Sequence, residues 1–100
     1  MKKLSPSQEK YLKSLAHHID PVVIVGHHGV TDDVLKSIDE AIEKIELIKI
    51  KFNKFKSDKK ELSNYIVEKL NIHLVSNIGN IAILFKQNKD KEKRKIIFDK

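Results

Sequence analysis

PVVIVGHHGVTDD, residues 21–33, decides how the chain is read. Four β-branched residues, Val22, Val23, Ile24 and Val25, run directly into Gly26-His27-His28-Gly29. A short, wholly apolar, β-branched run closed by glycine reads as a strand covered on both faces. Thr31 then stands where a helix would start, and its hydroxyl can cap that helix, with Asp32 and Asp33 well placed for the helix dipole. The turn between strand and helix has four candidate roles: metal site, catalytic loop, phosphate cradle, or plain geometry.

Outward from this stretch, Val34, Leu35, Ile38, Ala41, Ile42 and Ile45 recur at helical spacing. Residues 47–52 switch to a period of two, with Ile48, Ile50 and Phe52 on one face and Lys49 and Lys51 on the other. Asp58 with Glu61 predicts a capping box for a helix continued by Leu62, Ile66 and Leu70. Residues 72–76 and 81–85 read as strands around Asn77-Ile78-Gly79-Asn80, a hairpin. Before the opening stretch, Ser5-Pro6-Ser7-Gln8 is a helix start: Ser5 caps, Pro6 suits the first position and Gln8 closes a capping box. Leu4, Tyr11, Leu12, Leu15, Ala16 and Ile19 form its stripe, and the helix should stop near His18, ahead of Asp20-Pro21.

The order is therefore α-β-α-β-α-β-β. Strands alternating with helices predict parallel pairing of the early strands through right-handed crossovers, with the last hairpin antiparallel. The fold class expected is α/β (α+β two-layer), a single domain over residues 1–86. The segment 87–95 has five basic residues, two acids and nothing apolar, so residues 87–100 are expected to form a basic, mobile tail. Within it, Ile96-Ile97-Phe98 would pair weakly at a sheet edge or form a terminal patch. No internal repeat is present.

With 100 residues, 40% hydrophobic and 34% charged, the chain has enough apolar material for one core. It has no cysteine, which excludes disulfides, cysteine nucleophiles and thiolate metal sites. No apolar stretch follows the first lysines, and the longest apolar run, 22–25, is far short of a membrane span. A cytoplasmic location without membrane contact is expected. The net charge of +6 is unevenly spread. Asp32, Asp33, Asp39, Glu40, Glu43 and Glu46 make residues 32–46 acidic, whereas Lys49, Lys51, Lys54, Lys56, Lys59 and Lys60 dominate residues 47–60. A basic face beside an acidic helix fits a polyanion approached from one side, or equally a lysine-rich solvated surface.

Metal binding fits poorly. Four of the five histidines form the adjacent pairs His17-His18 and His27-His28, and neighbours on a helix point in different directions. No HExxH spacing occurs, so no metal and no cofactor is expected. No nucleophile elbow, P-loop or paired-carboxylate pattern appears, and most of the acids lie outside the apolar stripe of their helix, as a solvated face. Two glycines three apart let a backbone take positive φ and approach another chain closely, and amides there can donate to phosphate oxygens. His27 and His28 add polar contacts, while Asp32 and Asp33 oppose an anion placed on the helix axis itself. Lys49 and Lys51 on their strand, and Lys54 and Lys56 interleaved with Phe52 and Phe55, suit RNA, where phosphates supply affinity and rings can stack on unpaired bases. Phe52 is in register with the core, so Phe55 is the better stacking candidate, set against packing at the rim. Tyr11 and Tyr65 fall on helix faces and read as structural.

These residues resemble a known family. Leu12-Lys13-Ser14-Leu15-Ala16-His17 continues through Asp20-Pro21-Val22-Val23-Ile24-Val25-Gly26, then Gly29-Val30-Thr31 and Val34. Glu46-Leu47-Ile48-Lys49-Ile50-Lys51, and Ile78-Gly79-Asn80 followed by Ile81-Ala82-Ile83-Leu84-Phe85-Lys86, complete the set. Over residues 5–86 the chain is similar to the CRM domain, the chloroplast RNA splicing and ribosome maturation module, in its bacterial stand-alone YhbY-like form. The resemblance implies a four-stranded mixed sheet similar to the C-terminal domain of translation initiation factor three. It implies binding to ribosomal RNA in large-subunit precursors, as a ribosome assembly factor without catalysis and as a monomer. It also implies that Gly26, His27, His28 and Gly29 form an RNA-contact loop, with basic neighbours adding attraction. His27 stands where the family loop often has lysine, which would make phosphate contact there weaker and pH-dependent. The likeness to the GxxG loop of KH domains is partial, because that loop joins two helices. Two rivals stay in view: a protein-interaction module using the acidic helix 32–45, and a small histidine-dependent ribonuclease. Charge alone leaves DNA open as well.

Overall fold

In the computed structural model, which describes residues 3–98, the chain folds as three helices on a four-stranded mixed sheet. The elements are α1 (Pro6–Ala16), β1 (Pro21–Val25), α2 (Asp32–Ile45), β2 (Leu47–Phe52), α3 (Lys59–Leu70), β3 (His73–Ile78) and β4 (Ile81–Phe85). The sheet order is β1-β2-β4-β3. β1 pairs with β2 in parallel, and β4 runs antiparallel to both of its neighbours. The pairing matches the expectation from alternating strands and helices: α2 carries the crossover, and the final two strands form the hairpin.

Local chemistry sets the helix starts. Ser5 accepts from the Gln8 amide while the Gln8 side chain accepts from the Ser5 amide, so two otherwise orphaned donors are satisfied. Thr31 Oγ1 accepts from the Val34 amide at 3.2 Å. The capping box expected at Asp58 does not form. A single 3-10 turn, Lys56–Asp58, feeds α3 instead, and Asp58 makes no side-chain cap bond.

The sheet separates two apolar clusters. Against one face, α2 and α3 pack Leu35, Ile38, Ile42 and Ile66 onto Val25, Ile48, Ile50, Phe52, Ala82 and Leu84. On the other, α1 packs Leu12 and Ala16 onto Leu47, Val75, Ile83 and Phe85. Each Val, Leu, Ile or Phe among them taken fully out of water contributes about 1.5–3 kcal/mol. α1 lies over β2 and β3 and leaves β1 bare on that side. Val22 and Ile24 are consequently 48% and 55% exposed, so β1 is an edge strand open on one face rather than covered on both. An all-apolar run cannot reveal that its covering helix stops short.

Packing continues past residue 86. Glu46, at the C-terminal cap of α2 with φ of 70°, is only 1% exposed. Its carboxylate accepts the backbone amides of Asn88 (2.7 Å), Lys95 (2.7 Å) and Ile96 (3.0 Å). Ile96 and Phe98 then join the α1-side cluster, where Phe98 meets Tyr11 and Phe85 edge-on. These residues thus form no sheet-edge strand: Ile96 and Phe98 pack inward, while Ile97 between them stays exposed. Glu46 is likewise not part of a solvated acidic face. Elsewhere on α2, Lys86 Nζ pairs with Glu43, and that hydrogen bond holds the Glu43 carboxyl below its ordinary range.

Glu46→Gln places an amide NH2 against buried backbone donors. The expected loss is about 2–3 kcal/mol of stability, the scale of a hydrogen bond to a charged group. Denaturant unfolding together with hydrogen exchange at the amides of Asn88, Lys95 and Ile96 checks this, and unchanged protection there would contradict it.

Candidate nucleic-acid interface

The candidate surface grows from one end of the sheet. Because β1 and β2 run in parallel, both chains leave the sheet at the same end, at Gly26 and at Asn53. The two exits are tied together: the Asn53 and Lys54 amides both donate to the Val25 carbonyl, at 3.0 and 3.4 Å. The β3–β4 turn reaches the same end. There Phe52 donates its amide to the Asn80 carbonyl at 2.8 Å, Asn80 Nδ2 returns a bond to the Phe52 carbonyl, and Lys59 Nζ donates to the Gly79 carbonyl.

Gly26-His27-His28-Gly29 is a tight turn, closed by the Gly29 amide donating to the Gly26 carbonyl at 3.0 Å. The Gly29 amide is therefore spent on the turn, whereas the amides of His27 and His28 make no backbone hydrogen bond among the described residues. Both histidines are exposed, with ring centroids 4.0 Å apart. The two glycines have different physical roles. Gly29 sits at φ of 73°, in the left-handed region. A side chain there costs about 1–2 kcal/mol of backbone strain. Gly26 takes no left-handed φ, and a Cβ built on it would meet nothing within 4 Å. The fold itself does not require glycine at 26, whereas close approach by another chain would.

Phe55 lies against this turn. Its Cε2 is 3.6 Å from the point a Cβ on Gly29 would occupy, and the residue is 43% exposed. Its backbone is left-handed, φ 58° and ψ 36°, a region bulky residues avoid. Lys54 and Lys56, also exposed, flank it in sequence.

The eight residues singled out from the sequence fall on two adjoining surfaces. Gly26, His27, His28, Gly29, Lys54 and Lys56 gather at the end of the sheet. Lys49 and Lys51 stand half-buried on the face that α1 leaves open, in register with Pro21 and Ile24 of β1. There Lys49 joins Lys13, His17, Ile78 and Ile81 around a shallow recess of about 110 Å³. Sequence reasoning missed Lys59 and the Gly79-Asn80 turn as members of the sheet end, since only the β2–β4 register brings them there. Two recesses of about 590 and 420 Å³ lie at the other end of the sheet, where residues of 86–98 contribute to the lining of both. The candidate surface is thus open and cationic, suited to an extended ligand more than to an enclosed small molecule. Among the described residues no three His, Asp or Glu side chains come together as a metal site, and no helix is long and apolar enough to cross a membrane.

Fold and surface together define a small α+β module that presents a glycine turn and lysines at one sheet end. Residues 4–86 match the CRS1 / YhbY (CRM) domain, and the chain belongs to that family. It is 38% identical over 88 residues to "Probable RNA-binding protein YqeI" of Bacillus subtilis, covering 87% of this chain and 92% of that protein. A Haemophilus influenzae relative named "RNA-binding protein" is 38% identical over 91 residues, covering 90% and 92% respectively. The solution structure of the hypothetical protein SAV1595 from Staphylococcus aureus superposes with a TM-score of 0.78 at 35% identity, over 95% of this chain and all of that one.

The two glycines should separate on substitution. Gly29→Ala is expected to lose about 1–2 kcal/mol of stability, while Gly26→Ala stays within about 0.5 kcal/mol of the parent. Equal losses in denaturant unfolding would contradict the assignment of distinct roles.

Proposed function

We propose that the protein binds RNA through the sheet end and the adjoining open face, and acts in ribosome assembly on ribosomal RNA of large-subunit precursors. The observation that carries the reading is the meeting of the 26–29 turn, uncrowded at Gly26, with the exposed Lys54-Phe55-Lys56 segment. The names of the relatives support RNA as the ligand class. Backbone approach at Gly26 and donation from the His27 and His28 amides hold a phosphate, while Lys49, Lys51, Lys54 and Lys56 attract the flanking backbone. Asp32 and Asp33 in the first turn of α2 keep the anion off the helix axis. Binding is by contact and charge, by a monomer in the cytoplasm, and no bond of the RNA is broken.

The test measures affinity for a large-subunit ribosomal RNA fragment and for matched double-stranded DNA across a salt series, with the parent and a His27→Asp/His28→Asp variant. RNA should be preferred. The variant should fold normally and bind at least about ten-fold more weakly at every salt concentration, since two carboxylates then face the phosphates. Four lysine contacts give a log–log salt slope of about −3 on single strands. Equal weak binding to both polymers, lost in modest salt and indifferent to the turn, would instead mean generic lysine attraction, and a protein partner on α2 would take precedence. Shortened RNA after incubation, dependent on His27 or His28, would point to a ribonuclease.

A further inference from the structure

We propose that Phe55 is a stacking platform for one unpaired base, so that the RNA taken at this surface is single-stranded or bulged where it passes the 26–29 turn. This rests on the RNA reading above and adds the state of the nucleotide. Three features converge on the ring. Phe52 and Phe85 are 0% and 1% exposed in the core, whereas Phe55 leaves 43% of its surface in water. Its left-handed backbone, φ 58°, is one that glycine or asparagine would adopt with less strain, so the local turn alone does not call for phenylalanine. The ring approaches Gly29 through its Cε2 and Cζ atoms, at 3.6 and 4.0 Å from where a Cβ would sit, which puts the aromatic side chain directly beside the turn proposed to hold phosphate.

The surroundings select the ligand. Lys54 and Lys56 bracket the ring in sequence and are exposed, so phosphates on either side of a stacked base find cations within the same segment. An aromatic ring between lysines is the combination that captures single strands without reading their sequence, because every base has a π-face. A duplex keeps its bases paired and stacked on one another and offers this ring no free face. Packing at the rim against Gly29 would need only an apolar side chain, and leucine would serve.

Two substitutions separate these roles. The chain contains no tryptophan, so Phe55→Trp introduces a single reporter at the proposed stack. Binding is measured to a single-stranded oligoribonucleotide and to the same strand annealed to its complement. Phe55→Leu should bind the single strand about ten-fold more weakly, with its salt slope and its duplex affinity unchanged. Phe55→Trp should keep the single-strand affinity, and its fluorescence should be quenched by the single strand far more than by the duplex. Parental affinity in Phe55→Leu, alongside loss of binding in His27→Asp/His28→Asp, would overturn stacking and leave the RNA reading standing. Fluorescence of Phe55→Trp indifferent to bound single strand would also overturn it. Absence of RNA binding by the parent protein would overturn both.

Discussion

The parallel pairing of β1 with β2 is the constraint on which the rest of this molecule depends. Parallel neighbours need a crossover, here α2, and they must leave the sheet at the same end. That geometry places the glycine turn after β1 next to the lysine-rich segment after β2, and the Val25 carbonyl, shared by the Asn53 and Lys54 amides, fastens the two together. β2 and β4 are the two interior strands, and β4 brings the Gly79-Asn80 turn to the same place. Had β1 and β2 been antiparallel, the turn and the lysines would lie at opposite ends of the sheet.

The two ends of the domain are finished differently. At one, the buried Glu46 carboxylate gathers three amides of the C-terminal segment, and Ile96 and Phe98 extend the α1-side core. At the other, backbone bonds close the turn and tie the strand exits together while side chains stay in water: His27, His28, Lys54, Phe55 and Lys56 are all exposed. The first end thus ties the C-terminal segment down, whereas the second leaves an aromatic ring and its neighbouring cations in solvent. Val22 and Ile24 continue that exposure along the open face, beside Lys49 and Lys51.

Much of the architecture was legible in the sequence because local chemistry and periodicity carried it. The capping residues Ser5 and Thr31, the helical stripe of α2, the alternation in β2 and the order of elements all follow from near neighbours. The turn residues 26–29 stood out for the same reason. What stayed hidden was long-range. The openness of β1 depends on where α1 stops, and the burial of Glu46 depends on partners in the C-terminal segment, whose basic composition suggested only a mobile tail. The Asp58–Glu61 pattern suggested a cap that the preceding 3-10 turn replaced. The contact of Phe55 with Gly29 arises from strand pairing, so Phe55 could be named as a stacking candidate but not placed beside the turn.

The proposed RNA surface is the end of the sheet around residues 26–29 and 54–56. Backbone amide chemical-shift mapping during titration with a ribosomal RNA fragment tests it most directly, because every amide reports on its own surroundings. Perturbations should concentrate at Gly26, His27, His28, Gly29, Lys54, Phe55 and Lys56, weaken along Lys49 and Lys51, and leave the outer face of α2 at Lys36 and Glu40 unmoved. Perturbations centred on α2, or spread evenly over every lysine-bearing surface, would contradict it.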